Sequence, residues 1–284
     1  MSSLFDALLQ YGFLQHALIG GLLASVGCGI MGSYVVVKRI GFLAGGISHT
    51  VLGGMGVAFF YGLSPLGGAL VAALVAALLI GWVKLRWREQ EDTLIGAVWA
   101  VGMAIGILFI SRTPGYNVDL MSYLFGNILM VAGQDLWLMA GLDLLVLMAV
   151  LLFYWPFLAV SFDEEFARLR GVPVTFFYLL LLCLVAVTVV LLIQVVGLIL
   201  VIALLTLPAA IAAQYVHTLG KMMLLATLLG MVFTLVGLGT AYQSDLPAGA
   251  TIILVAGMSY LLSTLIGTAL KRRYGLSFSR ETSP

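Results

Sequence analysis

The chain has 284 residues, 63% of them hydrophobic and only 9% charged, with a net charge of +1. An average soluble domain carries about 25% charged residues, so this chain cannot clothe a water-facing surface, and its mean hydropathy of +1.18 agrees. That excludes a soluble enzyme and a nucleic-acid binder, and it leaves an all-α integral membrane protein, one transmembrane domain over residues 1–284.

A bilayer core needs about 20 apolar residues per helix. The first span is expected over 13–37, closed by Lys38 and Arg39, and the second over 42–63, closed by Ser64 and Pro65. A third over 66–83 ends in the cluster Lys84, Arg86, Arg88, and a fourth covers 94–110. Residues 112–119 read as a polar loop that includes Asp119. Residues 120–132 are apolar but too short to cross, which predicts an interfacial or re-entrant helix. The fifth span is expected over 136–157. The apolar stretch 174–215 is long enough for two spans hinged near 194–197, and spans over 222–242 and 248–270 complete a total of eight to nine.

Positive charge orients this string. With Lys38 on the cytoplasmic side, alternation places every Lys and Arg except Arg112 there, 12 of the 13. The positive-inside rule then makes the C-terminus cytoplasmic in a prokaryotic inner membrane. Nine spans put the N-terminus outside. The alternative is an amphipathic surface helix over 4–16. No Lys or Arg precedes Lys38, so the basic segment of a cleavable signal peptide is missing. Cys28 and Cys183 lie in apolar runs without ligand spacing and read as small buried residues.

Residues 161–173, SFDEEFARLRGVP, hold the densest charge in the chain. Asp163 is placed to cap a short helix, Phe166 and Leu169 share one face, and Gly171 with Pro173 ends it. Such a helix is either a solvated loop element or a docking helix for a soluble partner.

Several stretches together resemble one family: GSYVVVKRIGFLAGGISHTVLGG (32–54), EDTLIG (91–96), SYLFGNIL (122–129), FDEEFARLRGVP (162–173), VVGLILVIALLTLPAAIA (195–212) and DLPAGATIIL (245–254). In content and order they are similar to the permease subunits of the ATP-binding cassette (ABC) importers for zinc, manganese and iron, the ABC-3 family. The resemblance implies the all-helical permease fold of the vitamin B12 and siderophore importers, working as a homodimer. It implies an external metal-binding protein and a cytoplasmic ATP-binding subunit that docks on a coupling helix, here Asp163, Glu164, Glu165, Phe166, Ala167, Arg168 and Gly171. The sequence carries no Gly-x-x-x-x-Gly-Lys-Ser/Thr phosphate loop, so ATP hydrolysis is expected elsewhere and this chain is not itself an enzyme. No cofactor is expected; the metal is cargo.

Ionisable residues at membrane depth are functional candidates. His49 lies seven residues into the second span, about 10 Å along its axis, and imidazole suits zinc, iron and manganese. The alternative is a histidine that only bonds a neighbouring helix. The resemblance points to the metal path, where the family motif is commonly Gly-Asp-Ala-x-Ser-His. Here the Asp position is Gly45, so one oxygen ligand is missing; Ser48 is a polar neighbour and a poor ligand. Asp143, deep in the fifth span, either supplies the missing carboxylate or bonds a neighbouring helix. Asp119 and Asp245, at outer loops, either attract cations arriving from outside or serve as solvated caps or turns; His16 and His217 read as structural. Pro208 breaks the backbone hydrogen bonding of the seventh span, either as a static kink or as the hinge of a gate.

Zinc is the expected cargo, with manganese and iron open. The alternatives are an ion-coupled secondary transporter, which would carry more intramembrane acids and often an inverted repeat, and an ABC permease for a metal chelate or an organic substrate.

Overall fold

The computed structural model describes residues 10–86, 91–113, 128 and 131–274. Every element among them is helical. In chain order these are α1 (Gly12–Lys38), α2 (Gly41–Phe60), α3 (Pro65–Arg86), α4 (Glu91–Ser111), α5 (Gly133–Leu152), α6 (Tyr154–Phe162), α7 (Glu164–Leu169), α8 (Val174–Tyr215), α9 (Leu219–Ser244) and α10 (Ala248–Tyr274). Eight helices are long and apolar enough to cross a bilayer, and the second limb of α8, Leu200–Tyr215, is a shorter apolar helix. The expected surface helix over 4–16 gives up residues 12–16 to α1. Residues 4–9, Asp119 and most of the expected short helix over 120–132 lie outside the described residues.

The path of α8 sets the topology. Its 42 residues would reach about 63 Å if straight, roughly twice a hydrocarbon core. The helix breaks at Gly197, whose φ of 75° and ψ of 169° lie outside the helical region. It starts beside α6 and α7, and the residues just after it return to them: His217 and Leu219 share a cleft with Phe162 and Phe166. The two limbs are therefore separate passes, folded back at the hinge expected near 194–197.

The fifth span departs from expectation. It stops at Leu152 and restarts at Tyr154 as α6. Pro156 explains the break, because a continuous helix would set its ring against the carbonyl of Leu152. Asp135 opens α5 by accepting from the Ala132 N–H at 3.1 Å.

Charge gathers at one end of the bundle. The Lys38 ammonium lies 5.3 Å from the Tyr178 ring centroid and Lys84 Nζ lies 5.8 Å from it. Lys38 also donates to Val160 O at 2.7 Å. Tyr215 and Gln214, at the end of α8, bond Ser263 of α10, each at 2.9 Å, so α10 runs toward the same end. At the opposite end Phe60 of α2 meets Phe109 of α4, ring centroids 5.3 Å apart.

Helices α1 and α8 form the interior, while α4, α5 and α10 turn most of their surface outward. Helix α2 is gripped on one side by α4 and on the other by α3, which barely touch each other. The α2–α4 seam is backbone against backbone: a Cβ on Gly53 would come within 2.6 Å of Gly102 O. Lipid supplies no hydrophobic force between helices, so close backbone packing supplies the cohesion instead.

Candidate functional site

Two places on the bundle carry chemistry, one at membrane depth on α2 and α4, the other at the basic end around α7.

His49 is half-buried on α2. Its imidazole stacks flat on the indole of Trp99 from α4, with ring centroids 4.0 Å apart and planes 9° from parallel. His49 Nδ1 is buried without a hydrogen-bond partner among the described residues. The Trp99 indole N–H donates to Met103 Sδ, one turn further along α4, at 3.2 Å. Phe42 also lies beside Trp99, with ring centroids 6.0 Å apart. Gly45 sits one turn before His49; a Cβ there would lie 3.9 Å from Trp99 Cζ3 and 3.6 Å from Ile202 Cδ1. Ser48 is buried, and its hydroxyl donates to Gly45 O at 2.7 Å.

Asp143 occupies a different seam, where α5 packs against α1 and α8. A Cβ on Gly27 would stand 2.6 Å from its Oδ1 and 3.4 Å from Thr188 Cγ2. Asp143 Oδ2 is buried without a hydrogen-bond partner among the described residues. Asp143 lies beside Gly27 of α1 and Thr188 of α8, whereas His49 stacks on Trp99 of α4. No group of three or more His, Cys, Asp or Glu side chains able to hold a metal ion forms among the described residues.

At the basic end, α7 has the form the sequence suggests. Asp163 Oδ1 accepts from the Phe166 N–H at 2.9 Å. Gly171, at φ 75°, ends the turn. Ala167 is fully buried and anchors the helix, whereas Phe166 is 48% exposed and Leu169 87%. Glu165, Arg168 and Arg170 are also exposed, and the Arg170 guanidinium lies 5.2 Å from the Phe166 ring centroid. Glu164 instead turns inward to Lys38, 2.6 Å from its Nζ. A cleft of about 510 Å³ runs beside α7, bounded by Tyr154, Trp155, Phe162 and Phe166 on one side and His217 and Leu219 on the other.

Pro208 is buried in the second limb of α8, but the non-helical residue of that helix is Gly197. The sequence did not single out Trp99, and it marked Lys38 for orientation without showing its partners. An aromatic in an apolar helix and a lysine at a helix end carry no local sign of their partners.

The ABC 3 transport family profile matches residues 10–267. A probable metal transport system membrane protein of Chlamydia pneumoniae is 42% identical, over 100% of this chain and 98% of that one. The manganese transport system membrane protein MntC of Halalkalibacterium halodurans is 36% identical, over 91% of this chain and 89% of that one. The solved structure of PsaBC from Streptococcus pneumoniae in complex with Fab superimposes with a TM-score of 0.85 at 34% identity, covering 95% of this chain and 96% of that one.

Proposed function

The chain belongs to the ABC 3 transport family as the permease subunit of an ABC metal importer, and on that premise we propose that it carries a divalent metal ion past His49. Two copies of the chain flank the path. An external metal-binding protein delivers the ion, and a cytoplasmic ATP-binding subunit drives the cycle through α7. The basic end of the bundle is the cytoplasmic end.

His49 carries this reading. Its imidazole is half-buried at membrane depth and its Nδ1 has no hydrogen-bond partner among the described residues, while polar groups within a bilayer are normally satisfied. A passing cation is a partner of the right chemistry. The outward-facing residues of α7 support the docking role, because a short capped helix with exposed Phe166 and Leu169 suits a groove on a soluble protein.

Zinc is the first choice of cargo, since an imidazole without a neighbouring carboxylate favours borderline ions over hard ones. Manganese is the second reading, favoured by the names of relatives such as MntC; ferrous iron is third. Asp143 and Pro208 are assigned to the same path, as a second polar station and as a flexing point respectively.

The test is cellular metal accumulation by mass spectrometry, with the chain co-expressed with its ATP-binding and metal-binding partners. Accumulation of one metal that falls in His49→Ala, at unchanged membrane level, is the expected result. A wild type that accumulates no metal would overturn the reading.

A further inference from the structure

We propose that Lys38 is a positioning residue of the transport cycle: its bond to Glu164 carries the movement of α7 to the start of α2, the helix that bears His49. The inference rests on the reading of α7 as the docking helix and of His49 as part of the metal path.

Helix α7 packs on α6 and, more lightly, on α8, and Glu164 is the residue by which it reaches α1. Glu164 is partly buried, while Glu165 and Phe166 beside it are exposed. Lys38 binds this end of the bundle in three directions. Its ammonium meets Glu164 Oε1 at 2.6 Å, donates to Val160 O of α6 at 2.7 Å and lies 5.3 Å from the Tyr178 ring centroid of α8. A short bond between two charged groups is stronger than a neutral one, and partial burial spares it much of the screening by salt.

The chain that follows Lys38 has no slack. Arg39 N–H bonds Val36 O at 3.2 Å and Ile40 N–H bonds Val35 O at 3.0 Å, the pair of bonds that closes a helix in a Schellman motif. The left-handed position of that motif usually holds glycine. Here Arg39 occupies it at φ 58°, a conformation that persists only where the surroundings impose it. Ile40 is buried, and its carbonyl accepts from the Ala44 N–H at 3.1 Å to open α2. No unbonded residue therefore separates Lys38 from α2. His49 lies eight residues beyond Gly41, about 12 Å along the axis. The backbone contact of Gly53 with Gly102 binds α4 and its Trp99 to the same body. The covalent exit of α7, through Gly171 and Pro173, leads into α8 and not into α2. Hydrogen-bonded chains joined to stiff helices are what carry coupling between distant sites, and this one runs from the docking helix to the His49 stack.

The experiment reconstitutes the whole transporter in proteoliposomes with its ATP-binding and metal-binding partners. Zinc imported and ATP hydrolysed are measured in one sample, with manganese in a parallel set. Glu164→Gln removes the charge at nearly constant shape and is expected to lower the metal imported per ATP at least about fivefold, a coupling loss of ordinary size. Lys38→Met is expected to do the same. The double variant is expected to lose no more than either single one, because the two residues form one link. A pair that is merely structural behaves otherwise: the amount of assembled transporter and both rates fall together, and the ratio holds. An unchanged ratio in the two single variants overturns the proposal, and so do losses that multiply in the double variant. Should the single variants fail to assemble, Glu164→Asp decides by the same ratio, since it only draws the carboxylate back from the ammonium. Its ratio is expected to fall about twofold or more, and a wild-type ratio there overturns the proposal. Failure of the underlying readings looks different. Phe166→Ala then binds the ATP-binding subunit as wild type does, or His49→Ala transports as wild type does.

Discussion

The Lys38 ammonium and the Glu164 carboxylate meet at 2.6 Å, joining the last residue of α1 to the first residue of α7 across 126 positions of sequence. Lys38 is also bonded to Val160 O and lies over the Tyr178 ring, so four chain segments converge on one charge. The side chains are 10% and 33% exposed, which places the pair between surface pairs worth under about 1 kcal/mol and buried ones whose rupture costs about 3–5 kcal/mol. Lys38→Ala is expected to destabilise the permease by roughly 1–2 kcal/mol. A double-mutant cycle with Glu164→Gln, read by thermal unfolding in detergent, isolates the pair. Additive losses would show that the contact contributes nothing of its own.

The outward side of α7 gives the next prediction. Phe166 and Glu165 face away from the bundle, so replacing them leaves the buried Ala167 anchor and the Asp163 cap in place. Phe166→Ala or Glu165→Arg is expected to reduce co-purification of the ATP-binding subunit by at least about tenfold, the loss of a central apolar anchor or of charge match at a small interface. The permease itself should keep its melting temperature. Undiminished co-purification and transport would remove α7 from the docking surface.

How much of this was legible in the sequence depends on the range of the interaction. The spans, the charge at one end, the break near Gly197, the Asp163 cap and the Gly171 stop are local, and each has a local signature. The stack of His49 on Trp99 joins residues on two separate helices, and both lie in runs that are apolar all round. Such helices show no polar face to mark which side turns inward, so the pairing is decided by helix packing and leaves no periodicity to read. The break before α6 was legible in principle, since Pro156 stood one residue before the end of the expected span. The apolar run continued through Phe162 and concealed it.

The α2–α4 seam can be tested without touching any polar group. A Cβ on Gly53 would meet Gly102 O at 2.6 Å, closer than real contacts come, whereas Gly141 on α5 has nothing within 4 Å of that position. Gly53→Ala is expected to destabilise the bundle by about 1–3 kcal/mol through overpacking, lowering the detergent melting temperature and the fraction of monodisperse protein. Gly141→Ala should leave both unchanged or raise stability slightly, since alanine favours the helix. Equal behaviour of the two variants would mean that α2 and α4 do not approach as closely as described.

The hinge of α8 separates a required break from an optional one. Gly197 holds φ 75° and ψ 169°, a region essentially closed to residues with a Cβ, where strain is of order 1–3 kcal/mol. Straightening the helix there is not an alternative, because the second limb must return to the end where His217 meets Phe162. Gly197→Ala is therefore expected to lower the yield of folded permease sharply and its melting temperature with it. Pro208, by contrast, lies where the backbone remains helical, so Pro208→Ala restores a hydrogen-bond donor and should leave the fold intact or stabilise it. If Pro208 serves as a flexing point of the path, the same variant transports more slowly while its melting temperature holds or rises. Uptake at the wild-type rate with unchanged stability would reduce Pro208 to a tolerated bend, and equal tolerance at Gly197 would mean that the two limbs of α8 do not fold back at that residue.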